Sequence, residues 1–399
     1  MLATTFLHKA LQKSLSAMHK KRFNTLSEVV TALLGGAKLT LTNIGRHIKG
    51  DAKVKNKIKK VDRLLKNKNL QEERSYIYQQ LSHLLLKSAN KVVIAVDWSG
   101  CCSNERFIIQ ASILVAQGRS IPLYKEIHCI DKYTRSAVEF KFLDNLKSIL
   151  PKGVHVIVVT DSGFKTPWFN KIIVLGWDFV GRVRGQLFYK EKGKKRWLSI
   201  KSLHSKATNK ARYVGKVEIG RTIRNGRVTC HMVHYKSPKK YRSTIRTTYN
   251  ARVEKHSAAN REPWVLITSM AAENKNVLAS RTKNIYKKRM EIEQNFRDYK
   301  SERFGFSLRY SGTKDVKRLE ILLLIAEIAT IMLWLIGFSG ELIHLQKSFQ
   351  ANTSKSRVLS LLTLGKQIIL HCLNKIKNSD IIETLKILSI DCYALALGK

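Results

Sequence analysis

Acidic residues are scarce in this sequence. Of its 399 residues, 29 are Asp or Glu and 73 are Lys or Arg, which gives a formal net charge of +44. A folded chain with this much charge of one sign works against its own repulsion, so the excess indicates a surface for a polyanion, with DNA or RNA as the default partner. A small-molecule enzyme would not need that charge. A hydrophobic share of 44% allows a sizeable core and excludes wholesale disorder.

Cysteine and proline are also rare. The six cysteines include no Cys-x-x-Cys pair, so the sequence indicates neither a zinc ribbon nor a disulfide framework, and we expect a reducing compartment. The five prolines form no linker, and the sequence contains no internal repeat or low-complexity tract. Domain boundaries must therefore be sought in changes of hydrophobic periodicity.

One apolar run, residues 321–338, is long enough to suggest a membrane span. Glu327 lies near its middle and Glu320 directly precedes it, at a cost of several kcal/mol in lipid. We therefore expect a buried core helix and no membrane partner. The acid-free start, residues 1–23, lacks a long apolar core and a small-residue cleavage site, so an ordinary first helix is expected there rather than a transit peptide.

The N-terminal part has helical periodicity. Residues 1–88 contain two short helical patterns around Gly35-Gly36, followed by a strongly basic helix. This order is typical of a helical DNA-binding domain of the helix-turn-helix kind. The pattern is loose, and a plain solvated helical bundle would also produce it.

The hydrophobic periodicity of the sequence changes three times after residue 88. Strand-length apolar runs over residues 89–184 predict three strands, a helix and a further strand, which indicates the first part of a mixed α/β core. Residues 185–275 predict a β-rich insertion, in which Asn225-Gly226 marks a type I′ hairpin turn. Helical periodicity returns over residues 276–340, and residues 341–399 predict a helical C-terminal region without a recognisable motif.

Two of the scarce acidic residues end predicted strands. Asp97 closes the run KVVIAVD, and Asp161 closes VHVIVVTD. In open α/β sheets, ligands and catalytic groups gather at the carboxyl ends of strands, so the two aspartates together indicate a metal-binding pair. Either residue alone could equally be a helix N-cap or a turn residue.

A third carboxylate lies on a predicted amphipathic helix. At about 100° per residue, one polar stripe of that helix collects five side chains, with the apolar face opposite. The stripe consists of Tyr286, Arg289, Glu293, Arg297 and Lys300. Glu291 points away from Glu293 and is expected to face solvent. An exposed helix with ion pairs between Glu293 and its arginine neighbours would give the same pattern.

The spacing Tyr286-(2)-Arg289-(3)-Glu293-(6)-Lys300 matches the Y-R-E-K signature of the IS-four family of insertion-sequence transposases, which belong to the DDE class. The sequence also resembles this family in chain length, in the contexts VDWS at Asp97 and TDSGFK at Asp161, and in the β-rich insertion. As a whole it resembles the transposon-ten (insertion sequence ten) type. Met290 departs from relatives that carry a second aromatic residue after the arginine.

The resemblance implies an α/β fold with a ribonuclease H-like mixed-sheet catalytic core, which the β-rich insertion interrupts and which helical N-terminal and C-terminal regions flank. It implies that Asp97, Asp161 and Glu293 are the catalytic triad and hold a pair of Mg²⁺ ions, with Mn²⁺ able to substitute. It further implies DNA contacts near the cleaved end. The expected contact residues are Tyr286, Arg289, Lys300, Arg297 through its place in the stripe, and Trp264.

Trp264 lies where a related transposase stacks a flipped base while a DNA hairpin forms. Aromatic stacking of an extruded base is physically sensible. The alternative is a core tryptophan in the strand-like run PWVLITS.

The activity implied by the resemblance is cut-and-paste transposition: nicking at the element end, hairpin formation, hairpin opening and strand transfer. The implied partners are double-stranded DNA, as terminal inverted repeats and target, and a second copy of the chain in a synaptic homodimer. The expected location is the bacterial cytoplasm, on nucleoid DNA. Two alternatives remain: a ribonuclease H-like nuclease without strand transfer, and an inactive transposase-derived DNA-binding protein. The basic N-terminal segment and the insertion disfavour the first, and the intact triad disfavours the second.

Overall fold

The computed structural model describes residues 12, 15–101, 105–116, 118–221, 226–237, 262–271, 274–301, 305–354 and 356–398. The chain divides into two compact units. Unit 1 comprises Met1–His155 and Met290–Leu395, and unit 2 comprises Val156–Arg289 and Ala396–Lys399. Both units combine strands with helices, so the predicted mixed α/β fold class is confirmed.

The elements are numbered in chain order. The helices are α1 (Lys20–Leu34), α2 (Leu41–His47), α3 (Val54–Leu65), α4 (Lys68–Glu72), α5 (Arg74–Leu86), α6 (Ser136–Ile149), α7 (Thr166–Val174), α8 (Lys275–Lys288), α9 (Glu291–Lys300), α10 (Val316–Leu342), α11 (Leu361–His371) and α12 (Asn378–Leu397). The strands are β1 (Lys91–Gly100), β2 (Arg106–Ile113), β3 (Ile121–Cys129), β4 (His155–Thr160), β5 (Asp178–Val183), β6 (Phe188–Glu191), β7 (Leu198–Ser199), β8 (Arg212–Ile219), β9 (Val228–Tyr235) and β10 (Trp264–Thr268).

In unit 1, strand β2 lies between β1 and β3, and both pairs are antiparallel. These strands form where Val and Ile runs favour extended backbone on a buried, pleated surface. Asp97 in β1 is opposite Gln110 in β2, and Gln110 is opposite Lys125 in β3. Directly opposed residues point to the same face, so the three side chains form a polar row on one face of these strands.

Helix α10 runs through the core of unit 1, where it packs against β3, α1 and α11. It is long and apolar enough to cross a membrane by length and composition, but the whole of its apolar window is buried inside the protein. Glu327 in this helix is fully buried and forms an ion pair with Lys125 of β3, with 2.9 Å between Nζ and Oε2. The expected buried core helix at 321–338 is therefore confirmed.

The N-terminal helices belong to unit 1. Helix α1 ends before the Gly35-Gly36 turn, where Gly36 has a φ of +105° that a side chain would disfavour. Helix α1 packs against α10, and the Leu39 N–H donates to the carbonyl oxygen of Phe306 at 2.7 Å. An ion pair joins Arg74 to Glu320. The helices of the segment predicted at 1–88 therefore share a core with the C-terminal part of the chain.

In unit 2, the strand order is β4-β5-β10-β9-β8-β6-β7. Strands β4 and β5 are parallel and are connected through α7, whereas the following pairs are antiparallel. Strands β8 and β9 form the predicted hairpin, with Ile219 opposite Val228. Gly226 has a φ of +71°, but Asn225 lies outside the described residues, so the predicted type I′ turn stays a prediction.

The prediction that one unbroken helix runs from Tyr286 to Lys300 is wrong. Helix α8 ends at Lys288 and α9 begins at Glu291. At this break the backbone N–H of Arg289 donates to the carbonyl oxygen of Tyr286 at 3.1 Å, and the backbone N–H of Glu293 donates to the carbonyl oxygen of Met290 at 3.3 Å. These three-residue steps wind more tightly than an α-helix, so an angle computed at a constant rotation does not carry across them.

The burial of the predicted stripe reflects this break. Tyr286 and Arg289 are buried, at 3% and 6% exposure, whereas Glu293 and Arg297 are exposed. The expectation for Glu291 is also wrong, because Glu291 is half-buried and Glu293 is the more exposed of the two. Tyr286 and Arg289 belong to unit 2, whereas Glu293, Arg297 and Lys300 belong to unit 1.

Candidate active site

In unit 1, strand β1 and helix α9 position two of the predicted catalytic carboxylates. Side chains alternate along a strand, so Asp97 and Ser99 lie on the same face of β1. The Lys300 ammonium donates a hydrogen bond to the Ser99 hydroxyl oxygen at 2.6 Å. Helix α9 therefore covers the face of β1 that carries Asp97, and this helix also carries Glu293.

Helix α9 is amphipathic, as predicted. Its inward side chains Ile292, Phe296 and Tyr299 are buried at 0%, 5% and 1% exposure. Glu293 lies in the first turn, where the partial positive charge of a helix N-terminus favours a carboxylate. Arg297 follows one turn later on the exposed side. The inward face fixes the helix on the strands and leaves Glu293 and Arg297 toward solvent.

The end of β1 is held by contacts that sequence reasoning did not find. The Trp98 N–H donates to Oδ1 of Asp97 at 2.9 Å, which orients the carboxylate. The Trp98 indole donates to Oε1 of the buried Glu139 at 3.2 Å. The Trp98 ring also meets His128 and Tyr133 edge-on, with ring centroids 5.7 and 5.4 Å apart. The signal in the sequence was an acidic residue, Glu139, on the apolar face of a predicted helix.

In unit 2, Asp161 follows the last residue of β4. Its Oδ1 accepts a hydrogen bond from the Gly163 N–H at 2.8 Å, which is the contact of an aspartate in a turn. A Cβ at Gly163 would lie within 2.9 Å of that oxygen, so glycine keeps space beside the carboxylate. The turn role and a ligand role are compatible, because a carboxylate oxygen accepts more than one partner.

Tyr286 lies at the centre of a cluster in unit 2. Its ring meets the edge of the Trp264 ring at 4.9 Å between centroids, and the Arg289 guanidinium lies 5.7 Å from its centroid. Burial raises the pKa of the Tyr286 phenol, Arg289 and Arg182 oppose that rise, and the Asp161 charge adds to it. Unit 2 therefore brings Asp161, Trp264, Tyr286 and Arg289 within electrostatic or contact range.

Trp264 begins β10 opposite Tyr235 of β9 and is half-buried. It packs between the rings of Tyr235, at 5.4 Å, and Tyr286. The residue is therefore neither a fully buried core tryptophan nor an isolated surface ring. One part of the indole is supported by protein, and another part has access to solvent.

Arg182 and Arg184 are functional candidates that sequence reasoning missed. Arg182 lies near the end of β5 and Arg184 directly follows the strand. Arg182 hydrogen-bonds the Tyr286 phenol, and Arg184 donates to Glu262 Oε2 at 2.6 Å. With Lys165 they line a cavity of about 40 Å³. The alternating arginines in VGRVRG were the available signal, because charged side chains at a largely buried strand need partners, and Glu262 is one of them here.

The donor set fits a hard divalent cation. Asp97, Asp161 and Glu293 offer only carboxylate oxygens, which are the protein ligands that Mg²⁺ and Mn²⁺ prefer. Among the described residues no group of three or more His, Cys, Asp or Glu side chains is close enough to hold a metal ion. Asp97 and Glu293 belong to unit 1 and Asp161 to unit 2, so the triad remains a prediction.

Comparison with known protein families identifies a domain that this chain shares with one of them. The sequence model of a family described as "Transposase DDE domain" matches residues 91–328, more than half of the chain. The matched range starts with β1, continues through α9 and ends inside α10, so it includes every predicted site residue. A search of curated proteins found no match.

Proposed function

Because the chain belongs to the transposase DDE domain family, we propose that it is the transposase of a bacterial insertion sequence, of the IS-four family and the transposon-ten type. Membership implies a DNA substrate and, as is normal for the family, divalent metal ions. The observation that best supports the proposal is the placement of α9, which carries Glu293, over the strand face that carries Asp97. The high positive charge supplies the DNA surface.

We assign the chemistry to Asp97, Asp161 and Glu293, which would together hold a pair of Mg²⁺ ions. When bound, such ions supply Lewis-acid activation for phosphodiester displacement. Asp97 is preset for this role by the Trp98 N–H and Asp161 by the Gly163 N–H, since each carboxylate is held in one orientation before any ligand arrives. Preset donors avoid reorganisation during the reaction.

The DNA-contact residues divide according to their exposure. Arg297, Lys300 and Trp264 retain exposed or half-exposed surface, and we assign direct contacts with the DNA strand to them. Tyr286 and Arg289 are buried, so we assign them a supporting role. Tyr286 buttresses the Trp264 ring, and Arg289 lies beside Tyr286.

The proposed reaction is cut and paste: a nick at each element end, a hairpin on that end, hairpin opening, and strand transfer into target DNA. A homodimer would act on a pair of terminal inverted repeats in the bacterial cytoplasm. A reaction with candidate terminal repeats, Mg²⁺ and a target plasmid tests the proposal. Integrated products support it, cleavage without integration indicates a nuclease, and binding alone indicates an inactive derivative.

Amide variants test the triad. We expect Asp97→Asn, Asp161→Asn and Glu293→Gln to abolish cleavage while end binding persists, because each change removes a ligand charge but nearly preserves shape. Cleavage and band-shift assays on the same end-labelled duplex measure the two properties.

Glu291→Gln is the matched control for Glu293→Gln, and it should retain cleavage. The two residues belong to the first turn of the same helix, but only Glu293 is exposed. An inactive Glu291→Gln beside an active Glu293→Gln would show that the wrong carboxylate had been assigned.

A further inference from the structure

The underside of α9 is unusually polar for a buried helix face. Asn295 is 1% exposed, and its amide nitrogen donates to the Ser120 hydroxyl at 2.8 Å. Asp298 is 2% exposed and forms an ion pair with Arg119. Burial of such groups costs free energy unless they are paired, and apolar side chains would hold a helix on these strands without that cost.

The most deeply buried of these contacts involves Lys125. This residue of β3 is 1% exposed, and its ammonium lies 3.6 Å from the ring centroid of Tyr299 in α9. The ammonium also lies 2.9 Å from Oε2 of Glu327 in α10, which is fully buried. One buried cation therefore joins the strand, the catalytic helix and the core helix of unit 1.

Lys125 also has a defined relation to Asp97. Both lie in the polar row Asp97–Gln110–Lys125, in which each residue is directly opposite the next across the strands. Tyr299, which rests against the Lys125 ammonium, immediately precedes Lys300, which is hydrogen-bonded to Ser99. The C-terminal end of α9 is thus attached in two ways. Lys300 binds the strand that carries Asp97, and Tyr299 contacts Lys125 in the same polar row.

The gain in stability expected from such an arrangement is small. A buried ion pair can often be replaced by apolar residues of similar size with no loss of stability, or with a gain. A cation over an aromatic ring, in contrast, has a preferred position, and a polar contact fixes register where apolar packing can slide.

We propose that Lys125, held by Glu327, is a positioning residue that sets the register of α9 through the Tyr299 ring and so aligns Glu293 with Asp97. This inference rests on the proposed function. Lys125 and Glu327 act through Tyr299 and touch neither substrate nor metal in this assignment. A displacement of the reacting groups by about 1 Å can slow a reaction by about a hundredfold, so a small shift of α9 would be sufficient.

The test uses the full chain with both charges removed, as Lys125→Leu/Glu327→Leu. Removal of either partner alone would leave an unpaired buried charge and risk unfolding. We expect a melting temperature equal to or above that of the unchanged protein, normal binding of the end duplex, and nicking slower by about tenfold or more. The Mg²⁺ concentration for half-maximal nicking should rise, because Glu293 is displaced.

A readout independent of activity is amide hydrogen exchange across residues 291–300, which should become faster in the double variant. Ser339→Ala is the matched control: it removes a buried hydroxyl from the same α10 helix, where Ser339 and Thr384 lie 2.8 Å apart, far along the helix from Glu327. This control should leave exchange in α9 unchanged. Tyr299→Phe, which keeps the ring, should retain more nicking and slower exchange in α9 than Tyr299→Leu.

Unchanged α9 exchange and an unchanged nicking rate in the double variant would overturn the positioning role. So would equal effects of Ser339→Ala and the double variant on α9 exchange. If the unchanged protein never nicks DNA, the proposed function fails, and the exchange comparison still decides whether Lys125 positions α9.

Discussion

At the scale of single residues, Trp264 has the most informative surroundings. It is half-buried between Tyr235 and Tyr286, which leaves indole surface for a further aromatic partner. An unpaired DNA base is such a partner, since stacking on an aromatic side chain is worth about 1–3 kcal/mol. The loss of that contact corresponds to about tenfold or more in rate.

We expect Trp264→Ala to spare the first nick and to slow hairpin formation or opening. Trp264→Phe, which keeps an aromatic face, should lie between the Ala variant and the unchanged protein. Product analysis on end-labelled duplex separates the steps, and a parallel melting curve measures stability. Loss at every step in proportion to a lower melting temperature would indicate that Trp264 is only a packing residue.

At the scale of elements, α3 presents a basic face. Lys55, Lys59 and Arg63 recur every four residues and are all exposed, while Val61 and Leu64 of the same helix are buried. Residues four apart share one side of a helix, so these three cations form one stripe. This basic stripe of α3 is the best candidate in the N-terminal region for contact with phosphates.

We expect Lys55→Ala/Lys59→Ala/Arg63→Ala to weaken binding of the end duplex while preserving the fold, because alanine is a strong helix former. Each lost phosphate contact should reduce the slope of log binding constant against log salt by about 0.9. A salt titration by fluorescence anisotropy measures that slope. The charge-matched control is Lys375→Ala/Lys377→Ala/Lys386→Ala. If it weakens binding of the end duplex as much as the α3 variant does, α3 contributes only general charge.

The pair α10 and α11 depends on glycine. A Cβ at Gly337 would overlap the carbonyl oxygen of Leu361, and a Cβ at Gly365 would overlap that of Leu333. The two backbones therefore approach each other more closely than side chains would allow. We expect Gly337→Ala to destabilise the protein by about 1–3 kcal/mol or more through overpacking.

Chemical denaturation measures this loss for Gly337→Ala. Gly215→Ala is its control, because a Cβ at Gly215 meets no atom within 4 Å. If both variants unfold at the same denaturant concentration as the unchanged protein, the close approach of α10 and α11 is not required for stability.

At the scale of the whole molecule, the N-terminal helices share the core of unit 1 with α10. Val29 and Leu33 are buried in α1, which packs against α10, and the Arg74–Glu320 ion pair links the same parts of the chain. We expect residues 1–88, expressed alone, to lack a cooperative thermal transition, since their apolar faces would be exposed. Circular dichroism melting tests this expectation. A sharp transition in the fragment would instead support the independent domain predicted at 1–88.

The sequence by itself carried much of the fold and the chemistry. Apolar runs such as KVVIAVD predicted β1, because a buried strand needs a continuous hydrophobic run. The prediction that Asp97 closes this strand was wrong, because β1 continues to Gly100 and its last three residues are still paired with β2. The Asn225-Gly226 pair predicted the β8–β9 hairpin. The charged Glu327 within the apolar run at 321–338 correctly predicted a buried core helix rather than a membrane span. These are local properties, set by residue type and spacing over a short stretch.

Only the tertiary structure decided where the helical stretch at 286–300 breaks and what lies beneath it. The turn at Arg289 and Met290 contains no glycine or proline, so no local signal marks it, and its backbone differs from a helix by only a few hydrogen bonds. The pairing of Lys125 with Glu327 and Tyr299 joins residues far apart in sequence. Hydrophobic periodicity reports which face of an element is buried, but it does not report which partner buries it, because that choice depends on packing of the whole unit.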